Sequence, residues 1–151
     1  MIKKIYPLLI ILILTSCGFT PIYNNLDKSD YKINIIEKNG DKLINNLIIS
    51  EIKSISNSQS NTIFNLNINT VFEKIIISKN VKGTVSDYQL ILKSNFVVRK
   101  GDKSETISFV EKQNIKNTSD IFEQKNYENT IKTNFVISLV RKLNLELLTR
   151  Q

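Results

Sequence analysis

The sequence predicts an α+β fold in which two helices pack on one face of a mainly antiparallel four-stranded sheet. Two segments with helical apolar period supply the helices, one near residue 50 and one closing the chain. Between them lie long segments in which apolar and polar residues alternate, the pattern of strands covered on one side only. The breaks between those strands are short and turn-like, so no crossover helix is called for among them. A length of 151 residues suits one domain.

Each element has a local reason. Tyr31 to Ile36 is a β-rich run with Ile33 and Ile35 on one face, and Asn39-Gly40 breaks it. Asp41 is placed to cap a helix running to about Ser56. Ile44, Ile48, Ile52 and Ile55 form its apolar stripe, with Leu43 and Leu47 beside it. Asn57 to Asn61 is a polar linker. Phe64, Leu66, Ile68, Thr70 and Phe72 then alternate with Asn65, Asn67, Asn69 and Val71, and Ile75-Ile76-Ile77 continue after a bend at Glu73-Lys74. Lys79 to Asp87 is a loop. Tyr88, Leu90, Leu92, Phe96 and Val98 line one face of a second long strand, which turns at Gly101 into a return strand over Thr106 to Lys112. The first strand is separated from the others by a helix, which leaves it able to pair parallel with a later one. Asp120 and Glu123 have capping-box spacing, with Asp in the cap role, ahead of a long helix ending near Leu148. Val136, Val140, Leu143 and Leu147 make one stripe of that helix, and Ile131, Phe135 and Leu139 an adjoining one. Arg141, Lys142 and Arg150 sit towards its end, where positive charge complements the helix dipole.

Composition excludes several chemistries. The chain has no histidine, hence no imidazole base and no histidine-ligated metal. One cysteine forbids an internal disulfide and any cysteine cluster. The four glycines are isolated, so there is no phosphate-cradling loop, and no Gly-x-Ser-x-Gly elbow occurs. Glu37, Asp41, Glu51, Glu105 and Glu111 read as solvated faces and turns rather than an acid–base pair. The expectation is a protein without enzymatic activity, cofactor or metal.

The first seventeen residues carry the strongest signal. Lys3 and Lys4 form a positive start, Pro7 to Leu14 an unbroken apolar run, and Thr15-Ser16-Cys17 a small-residue end. The run is too short to span a bilayer, which takes ~20 residues. This is the layout of a signal peptide, and Leu14-Thr15-Ser16-Cys17 resembles the bacterial lipobox. That resemblance implies cleavage before Cys17 and acylation of its thiol and new amine, so that covalent acyl chains are the only added groups. Two or three such chains, at ~0.8 kcal/mol per buried CH₂, hold a domain stably on a bilayer. Gly18, rather than Asp, after the cysteine points to the inner leaflet of the outer membrane. The chain thus divides into a signal peptide over 1–16, an acylated tether over 17–30, and one domain over 31–151. Cleavage removes two of 21 basic residues and none of the 14 acidic ones, which leaves a net side-chain charge of +5. In the periplasm such a charge meets lipid phosphate or polysaccharide, not nucleic acid.

Two basic clusters stand out: Lys79 and Lys82 on the loop before Tyr88, and Arg99, Lys100 and Lys103 at the hairpin. They fall at opposite ends of one strand and cannot form a single patch. Either could grip a phosphate through charge-assisted hydrogen bonds. The other reading is that turn lysines keep strand edges soluble.

Four features together resemble the LptE family of lipopolysaccharide-assembly lipoproteins. They are Cys17-Gly18-Phe19-Thr20-Pro21-Ile22-Tyr23, Gly83-Thr84-Val85-Ser86-Asp87-Tyr88-Gln89-Leu90, the order of elements, and Leu139-Val140-Arg141-Lys142-Leu143 in the closing helix. The resemblance implies two helices on a four-stranded sheet. It also implies a plug seated in the outer-membrane barrel LptD, which it helps to fold, and contact with lipopolysaccharide in transit. A basic residue ahead of the Gly83 position is implicated in that contact in the family. Val81 falls near that column here, so Lys82 is the leading candidate and Lys79 the second. The alternative is another outer-membrane lipoprotein acting as an envelope-assembly adaptor or inhibitor.

Overall fold

The computed structural model describes residues 29–150. The signal peptide, Cys17 and the tether up to residue 28 lie outside the described residues. In chain order the elements are β1 (Lys32–Gly40), α1 (Lys42–Ile55), β2 (Ile63–Lys79), β3 (Val85–Lys100), β4 (Lys103–Lys116) and α2 (Ile121–Leu148). The strands form one sheet in the order β1-β2-β3-β4, with β1 parallel to β2 and the other pairs antiparallel. The fold is therefore α+β, with one parallel pair where the intervening helix had left room for it.

Both helices bury their stripes on the same sheet face. Ile44, Ile48, Ile52 and Ile55 of α1 share one core with Ile131, Phe135, Val136, Leu139, Val140, Leu143 and Leu147 of α2. Phe64, Leu66 and Ile68 of β2 and Leu90, Leu92, Phe96 and Val98 of β3 meet them from the sheet. Each such side chain contributes about 1.5–3 kcal/mol by leaving water. The caps fall where the sequence places them. Asp41 accepts from the Ile44 N–H, and Asp120 from those of Phe122 and Glu123. The return half of the capping box is made differently: Gln124, not Glu123, reaches back, to the Thr118 N–H.

Several readings are corrected. β2 does not bend at Glu73-Lys74; it pairs without interruption with β3 through Ile76, and its irregularities come later, between Ile76 and Lys79. β1 does not stop before Asn39-Gly40 but runs through them, and the return strand extends to Lys103–Lys116. Lys142 and Arg150 do more than complement the helix dipole, although Arg150 Nε does donate to the Glu146 carbonyl in the last turn of α2. They join Lys74 in pinning α2 to the sheet at three heights. Glu128 of α2 takes Lys74 of β2 at 2.5 Å, Lys142 takes Glu111 of β4 at 2.6 Å, and Arg150 reaches Glu105 of β4. Ser138 also donates to Glu111, so that carboxylate is a structural partner rather than a solvated face.

Gly40 ends β1 with φ +91°, and a Cβ there would lie 1.8 Å from the Thr70 carbonyl oxygen. Beside it, the buried amide of Asn45 donates to the Asn39 carbonyl and accepts from Thr70 Oγ1. At the other end of β1, the described residues open on Ser29, which is already part of the domain. Its N–H donates to the Ile55 carbonyl and its hydroxyl to Asn144.

Gly40→Ala forces both a disfavoured φ and a backbone clash, and is expected to cost about 3 kcal/mol or more in a denaturant titration. Glu128 yields a pH prediction. Burial pushes its carboxyl up, but hydrogen bonds from Lys74 and Gln124 and the charges of Lys74 and Lys132 outweigh that and hold it below the ordinary range. Its contribution to stability is therefore full above the ordinary glutamate pKa of about 4.3 and is lost as the pH falls through the lower folded value. Unfolding curves of Glu128→Gln should show a shallower acid decline than the parent over that window.

Candidate functional site at the β2–β3 loop

The loop between β2 and β3 is short and held from within. Asn80 is its anchor. Its Oδ1 accepts from the backbone N–H groups of Lys82 and Thr84, each at 3.0 Å. Its own N–H donates to the Thr84 carbonyl and its carbonyl accepts from Gly83, which takes φ +80°. An asparagine that bonds two residues ahead is a turn former for this reason. The result presents Val81, fully exposed, at the apex between Lys79 and Lys82, both exposed.

The base of the loop carries a compact polar cluster. Ser86 donates to the Asp87 carboxylate at 2.8 Å, and Ser78 bonds both Ser86 and Asp87. Hydrogen bonds from Ser78 and Ser86, with the charge of Lys116 adding to them, hold the Asp87 carboxyl below the usual carboxylate range. Asp87 is thus a fixed negative charge at the base, while the apex is cationic.

One member of the hairpin cluster is committed to the fold, whereas neither loop lysine is in a salt bridge with described residues. At the far hairpin, Lys100 donates to the Arg150 carbonyl at 2.8 Å and lies 5.5 Å from the Phe64 ring centroid. Arg150 is bound by Glu105 and Glu146. That end closes the domain around a cleft of about 560 Å³ lined by Phe64, Val98, Lys100, Lys103, Glu105 and Arg150. Lys79 and Lys82, by contrast, form no salt bridge among the described residues. Neither do the exposed Arg99 and Lys103 of the hairpin, so each end of β3 keeps two of the basic residues singled out by sequence available to an anion. No group of three His, Cys, Asp or Glu that could hold a metal occurs among the described residues.

Sequence reasoning missed the anchoring role of Asn80, the apex position of Val81 and the Ser78–Ser86–Asp87 cluster. The Asn-Val-Lys-Gly-Thr pattern did contain the turn signal for Asn80. Nothing in the sequence indicated that Ser78 and Ser86 would meet, because that depends on the irregular pairing of Ser78 with Asp87 and Lys79 with Val85. A further feature visible only in three dimensions is an open groove of about 730 Å³ between the outer edge of β1 and α1, lined by Ile33, Ile35, Ile36, Ile49, Ile52 and Lys53 among others.

No protein-family model matches this chain. No curated protein sequence matches it either. Solved structures do. Rare lipoprotein B from Shewanella oneidensis superimposes with a TM-score of 0.58 at 13% identity, covering 78% of this chain and 96% of that one. A protein from Caulobacter crescentus assigned as a lipoprotein gives 0.52 at 8% identity, covering 78% and 88%. A minor lipoprotein from Acinetobacter baumannii gives 0.50 at 11% identity, covering 73% and 93%. At these identities the likeness is one of fold: this chain shares the architecture of bacterial lipoprotein domains over most of its length.

Asn80→Ala should free the amides of Lys82 and Thr84. Hydrogen exchange at those two positions is expected to accelerate by at least about tenfold, while global stability falls by only about 1 kcal/mol.

Proposed function

We propose that this chain is an outer-membrane lipoprotein of LptE type, held by acyl chains on Cys17 at the inner leaflet and facing the periplasm. Its role is non-enzymatic: it fills and helps to assemble the LptD barrel, and it contacts lipopolysaccharide on its way to the outer leaflet. The observation that carries this reading is a coincidence of two independent signals. The N-terminus is laid out as a lipoprotein signal ending at Cys17, and the domain behind it has the fold of solved bacterial lipoproteins.

Two structural features support the finer parts. The sheet face away from the helices is largely polar, with Asn65, Asn67, Asn69, Gln89, Asn95 and Asn114 along it, which suits a hydrophilic barrel lumen. The loop at the sheet's end offers two ammonium groups not engaged in salt bridges with described residues, fit for the phosphates of an anionic lipid.

The partner assignment predicts that the tagged chain, extracted from membranes in mild detergent, brings down a large outer-membrane barrel. Recovery free of any barrel contradicts the plug role, and recovery with a different envelope protein supports the adaptor alternative. The lipid assignment is tested separately. Replacing Lys79 and Lys82 together with Ser should weaken lipopolysaccharide binding about tenfold at low salt and flatten its salt dependence, by the loss of two charge-assisted contacts. Unchanged affinity removes the lipid contact from this loop and leaves the barrel assignment standing.

A further inference from the structure

The sheet ends on β4, whose outer side carries no further strand among the described residues. β4 pairs with β3 over its whole length, from Lys103 opposite Lys100 to Lys116 opposite Asp87. Just past it, the Asn117 N–H bonds the Ser86 carbonyl. Odd-numbered residues of β4 therefore turn their backbone groups to β3, and even-numbered ones turn theirs outwards. The outward row is Ser104, Thr106, Ser108, Val110, Lys112, Asn114 and Lys116. Among the described residues its backbone receives a bond only at the Asn114 carbonyl, from the exposed side chain of Gln113.

Charged side chains, prolines and bulges usually guard such an edge. Here the strand has no proline and its register with β3 is unbroken. Two of the charges are spent inside the domain: Glu105 is bound by Arg150, and Glu111 by Lys142 and Ser138. Apolar surface lies alongside. Val110 is 51% exposed on the open face. Above the edge, Ser138 of α2 meets Glu111, and helical spacing sets Leu145 on that same flank. Tyr127 lines a cleft of about 590 Å³ with Asn114, Ile115 and Lys116. Leu145 and Tyr127 are each about half exposed. The helix stops short of the edge, because on the face it covers Phe109 stays half-buried and Glu105 and Gln113 exposed.

We propose that the β4 edge pairs antiparallel with the β4 edge of a second copy of the chain, about a two-fold axis at Phe109. In that register Phe109 faces Phe109, Ile107 faces Glu111 and Glu105 faces Gln113. On the open face Val110 meets Ser108, Lys112 meets Thr106 and Asn114 meets Ser104. Every outward residue from Ser104 to Asn114 then gains a hydrogen-bonded neighbour. The aromatic pair at the axis is favourable, and no like charges stand opposite each other. Lys116 comes opposite Asp102 of the second copy's turn, and neither forms a salt bridge within its own copy among the described residues. Other registers are worse. An axis at Glu111 or Lys112 sets that charge against itself, one at Ser108 sets Glu105 against Glu111, and one at Val110 sets Phe109 against Glu111. The backbone has a clear path. Asn117 meets Gly101 of the second copy's turn, and that copy's β3 lies on the far side of its own β4. The axis stands perpendicular to the sheet, so the helices of both copies share one face and the Tyr127–Leu145 flanks of α2 look towards each other. An isologous contact of this kind closes at two copies. The inference concerns the chain free of any larger partner and does not rest on the proposed function.

The test uses the full chain in detergent, followed by sedimentation equilibrium up to about 1 mM. A monomer–dimer equilibrium is expected, with Val110→Lys and Ser108→Pro each raising the dissociation constant at least about tenfold. Val110 is half exposed, and the Ser108 N–H points away from β3, so both variants should fold, with far-ultraviolet circular dichroism matching the parent's. Register is read by cysteines in a Cys17→Ser background. Under mild oxidation, chains carrying Glu105→Cys mixed with chains carrying Gln113→Cys should cross-link, and neither variant alone should. A chain that stays monomeric throughout overturns the proposal. So does a dimer that both edge variants leave intact, or one in which the mixed cysteines fail to join.

Discussion

The close approach of Gly40 to Thr70 governs the layout of the whole domain. With φ at +91° and no side chain, Gly40 lets the backbone turn out of the sheet against the Thr70 carbonyl. Asp41 then caps α1 at once, which lays the isoleucine stripe of that helix over β1 and β2. The buried amide of Asn45 and the Thr70 hydroxyl lock the same corner from inside. Because β1 must end there, the second half of β2 has no strand neighbour on that side among the described residues.

The far end of the molecule is shaped by a mismatch of pitch. A helix advances ~1.5 Å per residue and a strand ~3.3 Å. The 28 residues of α2 therefore cover roughly 42 Å, while the 17 of β2 extend over roughly 56 Å. The ion pairs at Lys74, Glu111 and Glu105 fix where along the sheet α2 lies. What outruns it is the β2–β3 loop, with Val81 and its two lysines. Ile121 and Phe122, strongly exposed at the start of α2, add apolar surface near this end, where Asn117 bonds to the Val85 and Ser86 carbonyls.

The fold was largely legible because its apolar residues keep period. Ile44, Ile48, Ile52 and Ile55 at helical spacing, and Phe64, Leu66 and Ile68 at alternate positions, are all buried as their spacing requires. What was not legible depends on pairs distant in sequence. A bend at Glu73-Lys74 looked reasonable because two charges interrupt an apolar run, yet each is taken up by a partner distant in sequence, Glu73 by Lys93 of β3 and Lys74 by Glu128 of α2. The roles of Lys142 and Arg150 were likewise decided by carboxylates on β4, some 30 to 45 residues away. At the loop, the lysines were visible as charge, but the absence of a salt bridge to them among the described residues was not. Nor was the commitment of Lys100 and Arg150 to holding the opposite end closed.

The functional reading depends on the domain being tied to a membrane at its front end, since both a barrel partner and a lipid ligand presuppose that address. Intact-mass and peptide mass spectrometry of the polypeptide isolated from its own cells reads this directly. The account predicts a mature chain starting at Cys17, heavier than its residues by a thioether-linked diacylglyceryl group and an amide-linked acyl chain. A polypeptide retaining residues 1–16 with an unmodified thiol at Cys17 would contradict it.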